Sequence, residues 1–294
     1  MKIQALAVVL AALGSAGLAL GKEYKIQLDR TPKQGDHYEI KIEASQSQHI
    51  VIESGAQVVQ DKKRELSGSL EGMATAVDVG DDGIVRETKI KVSKCVAKRG
   101  DDAAEKEILP AGTELVMKGS TKENEFFADG KKVSDDVKEV LGMLLEESED
   151  NGKDDDIFGS DKPRKPGDHW SIDAKKAAKS LSENAAKVEA ENISGEMVFE
   201  KVVEKEGVEC LVLHGHLKMK DAQAPMPPGV KIESGVFSGT FNGIFPADPK
   251  IQPLLAGQEM TGKITAKGQT GNGVPLKLTM KIRQKKVVET KPAK

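Results

Sequence analysis

The residues with the chemistry to act on a ligand are few: five histidines, two cysteines and scattered acids. His214-Gly215-His216 is the best metal candidate. In a strand both imidazoles would project from one side, about 7 Å apart, as two ligands of one ion do. Lys218 and Lys220 share that face and disfavour a cation, and Cys210 sits about 13 Å from His214 along the strand. The metal reading is therefore weak, and a solvated strand face is the plainer one. His37 and His169 each precede an aromatic residue. As an acid–base pair they would need a carboxylate and a nucleophile in reach, which would make the chain a secreted hydrolase with a dispersed active site. The structural reading has Gly and Asp shaping a turn while the aromatic anchors the strand.

No Gly-x-Ser-x-Gly, Walker, dinucleotide, His-Glu-x-x-His or Cys-x-x-Cys motif occurs. The acidic run fails the calcium-loop register. Glu147, Glu149 and Asn151 precede Gly152 suitably, but Asp154 and Phe158 stand where an apolar residue and a Glu belong. No catalytic residue and no cofactor is assigned. Cys95 and Cys210 are the only cysteines. In an oxidising compartment they could pair; the alternative is two free thiols too far apart to meet. Alternation places both on the more polar faces of their strands.

The elements that would position these groups read mostly with period two. Ile40, Ile42 and Ala44 alternate with Glu39, Lys41 and Glu43; Leu276, Leu278, Met280 and Ile282 alternate with Lys277, Thr279 and Lys281. An antiparallel sheet wet on one face is expected. Val133, Val137, Val140, Leu141, Leu144 and Leu145 form a helical stripe with Ser134 as N-cap. Ala177, Ala178, Leu181, Ala185 and Val188 form a second stripe capped by Asp173.

Gly35-Asp36-His37-Tyr38 recurs as Gly167-Asp168-His169-Trp170. Leu66-Ser67-Gly68 recurs as Ile193-Ser194-Gly195, and Gly83 as Gly207. The order is kept while the offset shrinks, as duplication with small deletions would produce. The expected organisation is a leader over 1–21, a β-rich half over 22–148, and an acidic and Pro-containing loop over 149–166. A second β-rich half over 167–288 and a polar tail over 289–294 complete it. Lys2 and the apolar run Ile3–Leu20 read as a signal peptide cut before Lys22, with no lipobox cysteine. A periplasmic or secreted soluble product is the expectation, with no later integral membrane segment.

Removing Lys2 with the leader takes the formal charge from −3 to −4. That balance argues against nucleic acid, and no basic amphipathic stretch marks a membrane surface. Low aromatic content argues against stacking platforms for bases or sugars.

The Gly-Asp-x-Trp strand start at 167–170, led by Lys162-Pro163-Arg164-Lys165-Pro166 and followed by a helix and a hairpin from Met197 to Met219, resembles a group of exported bacterial proteins built on a domain of unknown function. The resemblance implies an α+β, mostly β fold: one large curved antiparallel, half-barrel-like sheet with one or two amphipathic helices on it, similar to periplasmic lipoprotein carriers. It carries over no catalytic residue. The expected role is a non-enzymatic binding protein for an apolar or lipid-like ligand, or a structural or interaction module.

Overall fold

The computed structural model describes residues 21–30, 32–81, 83–100, 104–119, 124–145, 154–183, 187–223, 226, 229–269 and 273–292. The leader-like run and the stretch 146–153 lie outside them. The strands are β1 His37–Ser54, β2 Gln57–Val79, β3 Val85–Arg99, β4 Lys106–Leu109, β5 Glu114–Lys118, β6 Glu125–Ala128, β7 Lys131–Lys132, β8 His169–Ser171, β9 Ile193–Lys205, β10 Val208–Met219, β11 Lys231–Pro246, β12 Leu255–Gln269 and β13 Pro275–Pro292. The helices are α1 Asp135–Leu145, α2 Asp154–Phe158 and α3 Ala174–Glu183.

All the pairings are antiparallel and join into one curved sheet, ordered β7-β6-β5-β3-β2-β1-β13-β12-β11-β10-β9-β8 with β4 beside β3. The end strands β7 and β8 do not pair with each other, so the sheet stays open. The two halves meet where β1 pairs with β13 over almost its full length.

One face of the sheet, called the inner face below, carries both apolar clusters. The first lies under β1, β2, β3 and β5, and α1 closes it with Val140, Leu141 and Leu144, all fully buried. The Ser134 carbonyl accepts from Lys138 N at 2.8 Å and starts that helix, as expected. The second cluster lies under β8 to β11 and takes in Trp170, Met197, Phe199 and Leu213. The segment 21–30, first among the described residues, packs here: Tyr24, Ile26 and Leu28 are buried, and the Tyr24 ring meets the Phe199 ring edge-on at 5.7 Å.

Asp173 caps α3, its Oδ1 accepting from Lys175 N and Lys176 N at 3.0 Å each. That helix spans Ala174–Glu183, and Ala185 of the stripe read from sequence lies outside the described residues. Val188 still reaches the second cluster, but from extended chain, because Lys187 makes a β-bridge to Gln223.

Part of the expected acidic loop is also ordered differently. Asp154–Phe158 is α2, whose Ile157 and Phe158 pack on the second cluster. A local reading of charge could not see Asp29, which caps this short helix from more than a hundred residues away.

Inner-face glycines make room for their neighbours' large side chains. A Cβ on Gly215 would lie 2.2 Å from Met197 Sδ, and one on Gly262 would lie 2.3 Å from a carbon of the Phe237 ring. These positions tolerate no side chain, so the aromatic and thioether groups fold flat against bare backbone.

Candidate functional site

The Gly-Asp-His-aromatic repeats form the same turn twice. In the first, Gly35 has φ +88°, Asp36 Oδ2 accepts from Lys33 N at 2.7 Å, and Gly35 N donates to Ala76 O at 2.8 Å. In the second, Gly167 has φ +90°, Asp168 Oδ2 accepts from Lys165 N at 3.0 Å, and Gly167 N donates to Phe199 O at 2.7 Å. The positive φ is why glycine stands there. Each aromatic turns inward: Tyr38 packs on the first cluster, while Trp170 is buried in the second and donates Nε1–H to Phe158 O at 2.9 Å.

The histidines stay outside. His37 Nδ1 faces the carbonyl of Gly35 at 3.2 Å, and His169 Nδ1 lies 3.4 Å from Glu196 Oε1. The structure does not bring the two together: one stands on β1, the other on the edge strand β8, with five strands between them.

His214 sits in a cross-strand network. Its Nε2–H donates to Glu200 Oε2 on β9 and its Nδ1–H to Asn242 Oδ1 on β11, each at 2.5 Å. Glu200 is the extra residue of a β-bulge, since Val212 pairs with Lys201 while Leu213 pairs with Phe199. With an oxygen at each ring nitrogen the imidazolium is favoured. The Asn242 bond, then the Glu200 bond and its charge, push the His214 pKa up, while burial opposes them. His214 bonds, chiefly, and Lys201 hold the Glu200 carboxyl below its usual range. Both His214 nitrogens are thereby engaged, and His216 beside it is exposed. Among the described residues no group of three or more His, Cys, Asp or Glu is placed to hold a metal. Sequence reasoning had both histidines on the outward face but missed Glu200 and Asn242; the bulge that aims Glu200 leaves no local sequence signal.

The disulfide expectation is corrected: Cys95 and Cys210 are free thiols. Both are buried, at 1% and 0% exposure, rather than lying on wet faces. In β3 the reason is a bulge. Leu70 pairs with Cys95 but Gly72 with Val92, so the inward set Ile90, Val92 changes parity to Cys95, Ala97. Cys210 pairs with Val203 and Pro246, with its thiol donating to Val208 O at 3.3 Å. Five strands separate β3 from β10, roughly 29 Å along the sheet at strand spacing, whereas a disulfide needs Cα atoms within about 7 Å.

An unassigned surface lies between the two clusters. Beyond them the ends of β1, β2, β11, β12 and β13 project as a five-stranded extension. On its inner face Ile50 pairs with Met280 and Ile52 with Leu278, while Met280 pairs with Ile264 and Leu278 with Ala266. Ile50, Ile52, Leu278, Met280 and Ile282 are half-buried and belong to neither cluster. One step toward the body, the same face turns polar: Gln46 pairs with Gln284, and Lys286 with Gln258. The Gln48 amide donates to Met280 Sδ at 3.2 Å and bridges the two zones. This arrangement offers an apolar strip that ends at a row of amides and one ammonium, and that Gln60, Lys62 and Arg64 border on β2.

No helix among the described residues is long and apolar enough to cross a membrane. No family model matches the chain, and no curated protein matches it. Among solved structures it is similar to a lipovitellin chain solved for its lipid–protein interactions, at 10% identity and TM-score 0.37, with 89% of this chain and 26% of that one covered. The chain thus spans about a quarter of the length of that relative. It is also similar to an outer-membrane channel of Pseudomonas putida F1, at 8% identity and TM-score 0.18, with 89% of this chain and 97% of that one covered.

Proposed function

We propose that this protein is a non-enzymatic carrier that holds an amphipathic, lipid-like molecule against the inner face of its sheet extension. The carrying observation is the inner-face strip itself. Half-buried aliphatic residues from β1 and β13 lie outside both clusters, and the polar row of Gln46, Gln284, Gln258 and Lys286 borders them. An acyl chain laid along Ile50, Met280 and Leu278 would bury apolar surface at about 25 cal/mol per Å². Its polar end would meet donors in the amide row. The Gly-Asp-His-aromatic turns do not compete for this role, because they serve the fold.

The reading includes export, supported by the leader-like run Ile3–Leu20, and descent from a duplicated unit, supported by the two matching turns. N-terminal sequencing of the exported product starting at Lys22 tests the former.

Native mass spectrometry of the full chain purified without detergent tests the ligand. A co-purifying adduct of lipid mass, absent from Met280→Glu, is expected. A bare polypeptide mass that also fails to take up a fluorescent fatty acid would sink the carrier reading.

A further inference from the structure

The other face of the extension has an opposite character. Across four neighbouring strands, Lys63 pairs with His49, His49 with Lys281, and Lys281 with Lys263. Nearer the tip, Lys277 pairs with Lys267, and Lys267 with Lys231. Like charges facing directly across strands weaken a sheet. Some are matched: Lys277 to Glu53 at 2.9 Å, Lys267 to Glu233 at 2.7 Å and His49 to Asp61 at 2.7 Å. Lys231, Lys263 and Lys281 meet no acid among the described residues. Segments 46–65, 231–240 and 258–285 hold ten lysines and arginines against five acids, although the whole chain is net −3; Lys62 and Arg64, paired with Ile50 and Gln48, lie on the inner face and the other eight on this one. The positive charge is thus gathered here.

The tip is apolar. Gly55 N donates to Pro275 O at 3.1 Å, so the β1–β2 and β12–β13 hairpins end side by side. Val58 and Val59, each 58% exposed, and Val274, 42% exposed, crown this end. Val236, 50% exposed, pairs with Lys263 and continues the row of facing lysines. Of the five large apolar residues that stand exposed among the described residues, only Ile84 lies elsewhere, at the β2–β3 turn. Between the lysine rows is an open depression of about 160 Å³, with Lys277 and Lys281 at its ends and Val51 and Thr279 between them.

We propose that the tip and outward face of this extension dock on an anionic lipid bilayer. Exposed aliphatic groups at a leading edge, collared by lysines, fit the headgroup boundary: the valines enter it while the ammonium groups meet lipid phosphates. A nucleic-acid surface would call for aromatic platforms, and the exposed apolar groups here are all aliphatic. A soluble polyanion would leave the valines unused. Docking uses the outward face and the carrier reading uses the inner one, so the two can fail separately.

The test is sedimentation of the full chain with vesicles of phosphatidylcholine alone or with roughly 30% phosphatidylglycerol, the latter at about 0.1 M and 0.5 M NaCl. Expected is pelleting with the anionic vesicles only, falling about tenfold at the higher salt. Lys263→Glu with Lys281→Glu should abolish pelleting. Reversal leaves like charges facing, so Lys263→Gln with Lys281→Gln is the fold control: it removes the facing charges, should melt no lower than the parent, and should pellet several-fold less. Val58→Ser with Val59→Ser should weaken pelleting several-fold at unchanged circular dichroism. Protein left in the supernatant, equal pelleting with neutral vesicles, or full pelleting of the charge-reversed variant would each overturn the proposal. So would capture by soluble polyphosphate without capture by vesicles.

Discussion

Asp29 and Asp155 hold each other's backbones. Asp155 accepts from Leu28 N at 2.5 Å and Asp29 N at 3.4 Å, while Asp29 accepts from Asp154 N at 3.0 Å and Asp155 N at 3.1 Å. Each carboxylate satisfies amides at the other's site: one at the start of a short helix, the other on an extended segment whose β pairing, among the described residues, is a single isolated bridge. The exchange fastens the first described residues of the chain to α2, and through Phe158 to Trp170.

Asp155→Ala should therefore loosen both partners. Loss of partly buried charged hydrogen bonds costs about 1.5–3 kcal/mol, which for a domain of this size lowers Tm by roughly 5 °C. Trp170 is the only tryptophan, so its emission should move to longer wavelength as the Phe158 carbonyl shifts. A melting curve and an emission spectrum identical to the parent's would show that the exchange carries no stability.

The thiols should be silent until the protein opens. Burial pushes the Cys95 thiol up to about 11, and burial also raises that of Cys210. Ellman's reagent should find no reactive thiol at neutral pH and two in denaturant. Because the folded pKa of Cys95 lies above the ordinary 9.0, the thiol favours the fold fully below pH 9. That contribution is lost as pH rises from there toward 11. Cys95→Ala should flatten this alkaline limb of the stability profile; a limb of unchanged slope would assign it to other groups.

His214 gives the opposite half of the pH profile. Its raised pKa means the charged ring contributes fully below the ordinary 6.5, and that contribution disappears as pH climbs through the folded value. Proton NMR of the ring should show a midpoint above 6.5 in the parent, lower in Asn242→Ala and in Glu200→Gln. An unmoved midpoint in both variants would mean the two oxygens do not set it.

Much of the fold was legible because period two survives over long stretches. The alternations at Ile40–Ala44 and Leu276–Ile282 place the inner face correctly, and the Val133–Leu145 stripe gives α1. What escaped is long-range. The bulges in β3 and β9 invert parity without any local mark, which is why Cys95 was read on the wrong face and Glu200 was missed. The basic face escaped for a related reason. Lys63, Lys281 and Lys263 come from three strands, so no single stretch of sequence reads as basic and amphipathic. Charge along the chain averages out what register across the sheet concentrates.

The β1–β13 junction also fixes an order of events. β1 needs both β2 and β13 as neighbours, and β13 follows every other strand in the chain. Tyr24 and Lys22 likewise find Glu209 only once the second half exists. Closing loops of this length precedes any reward from the contacts they make, so pairing of this kind is slow. A chain emerging from the ribosome can fold its hairpins early, yet the seam waits for the last strand. Until then the sheet has two loose halves and an unfilled middle.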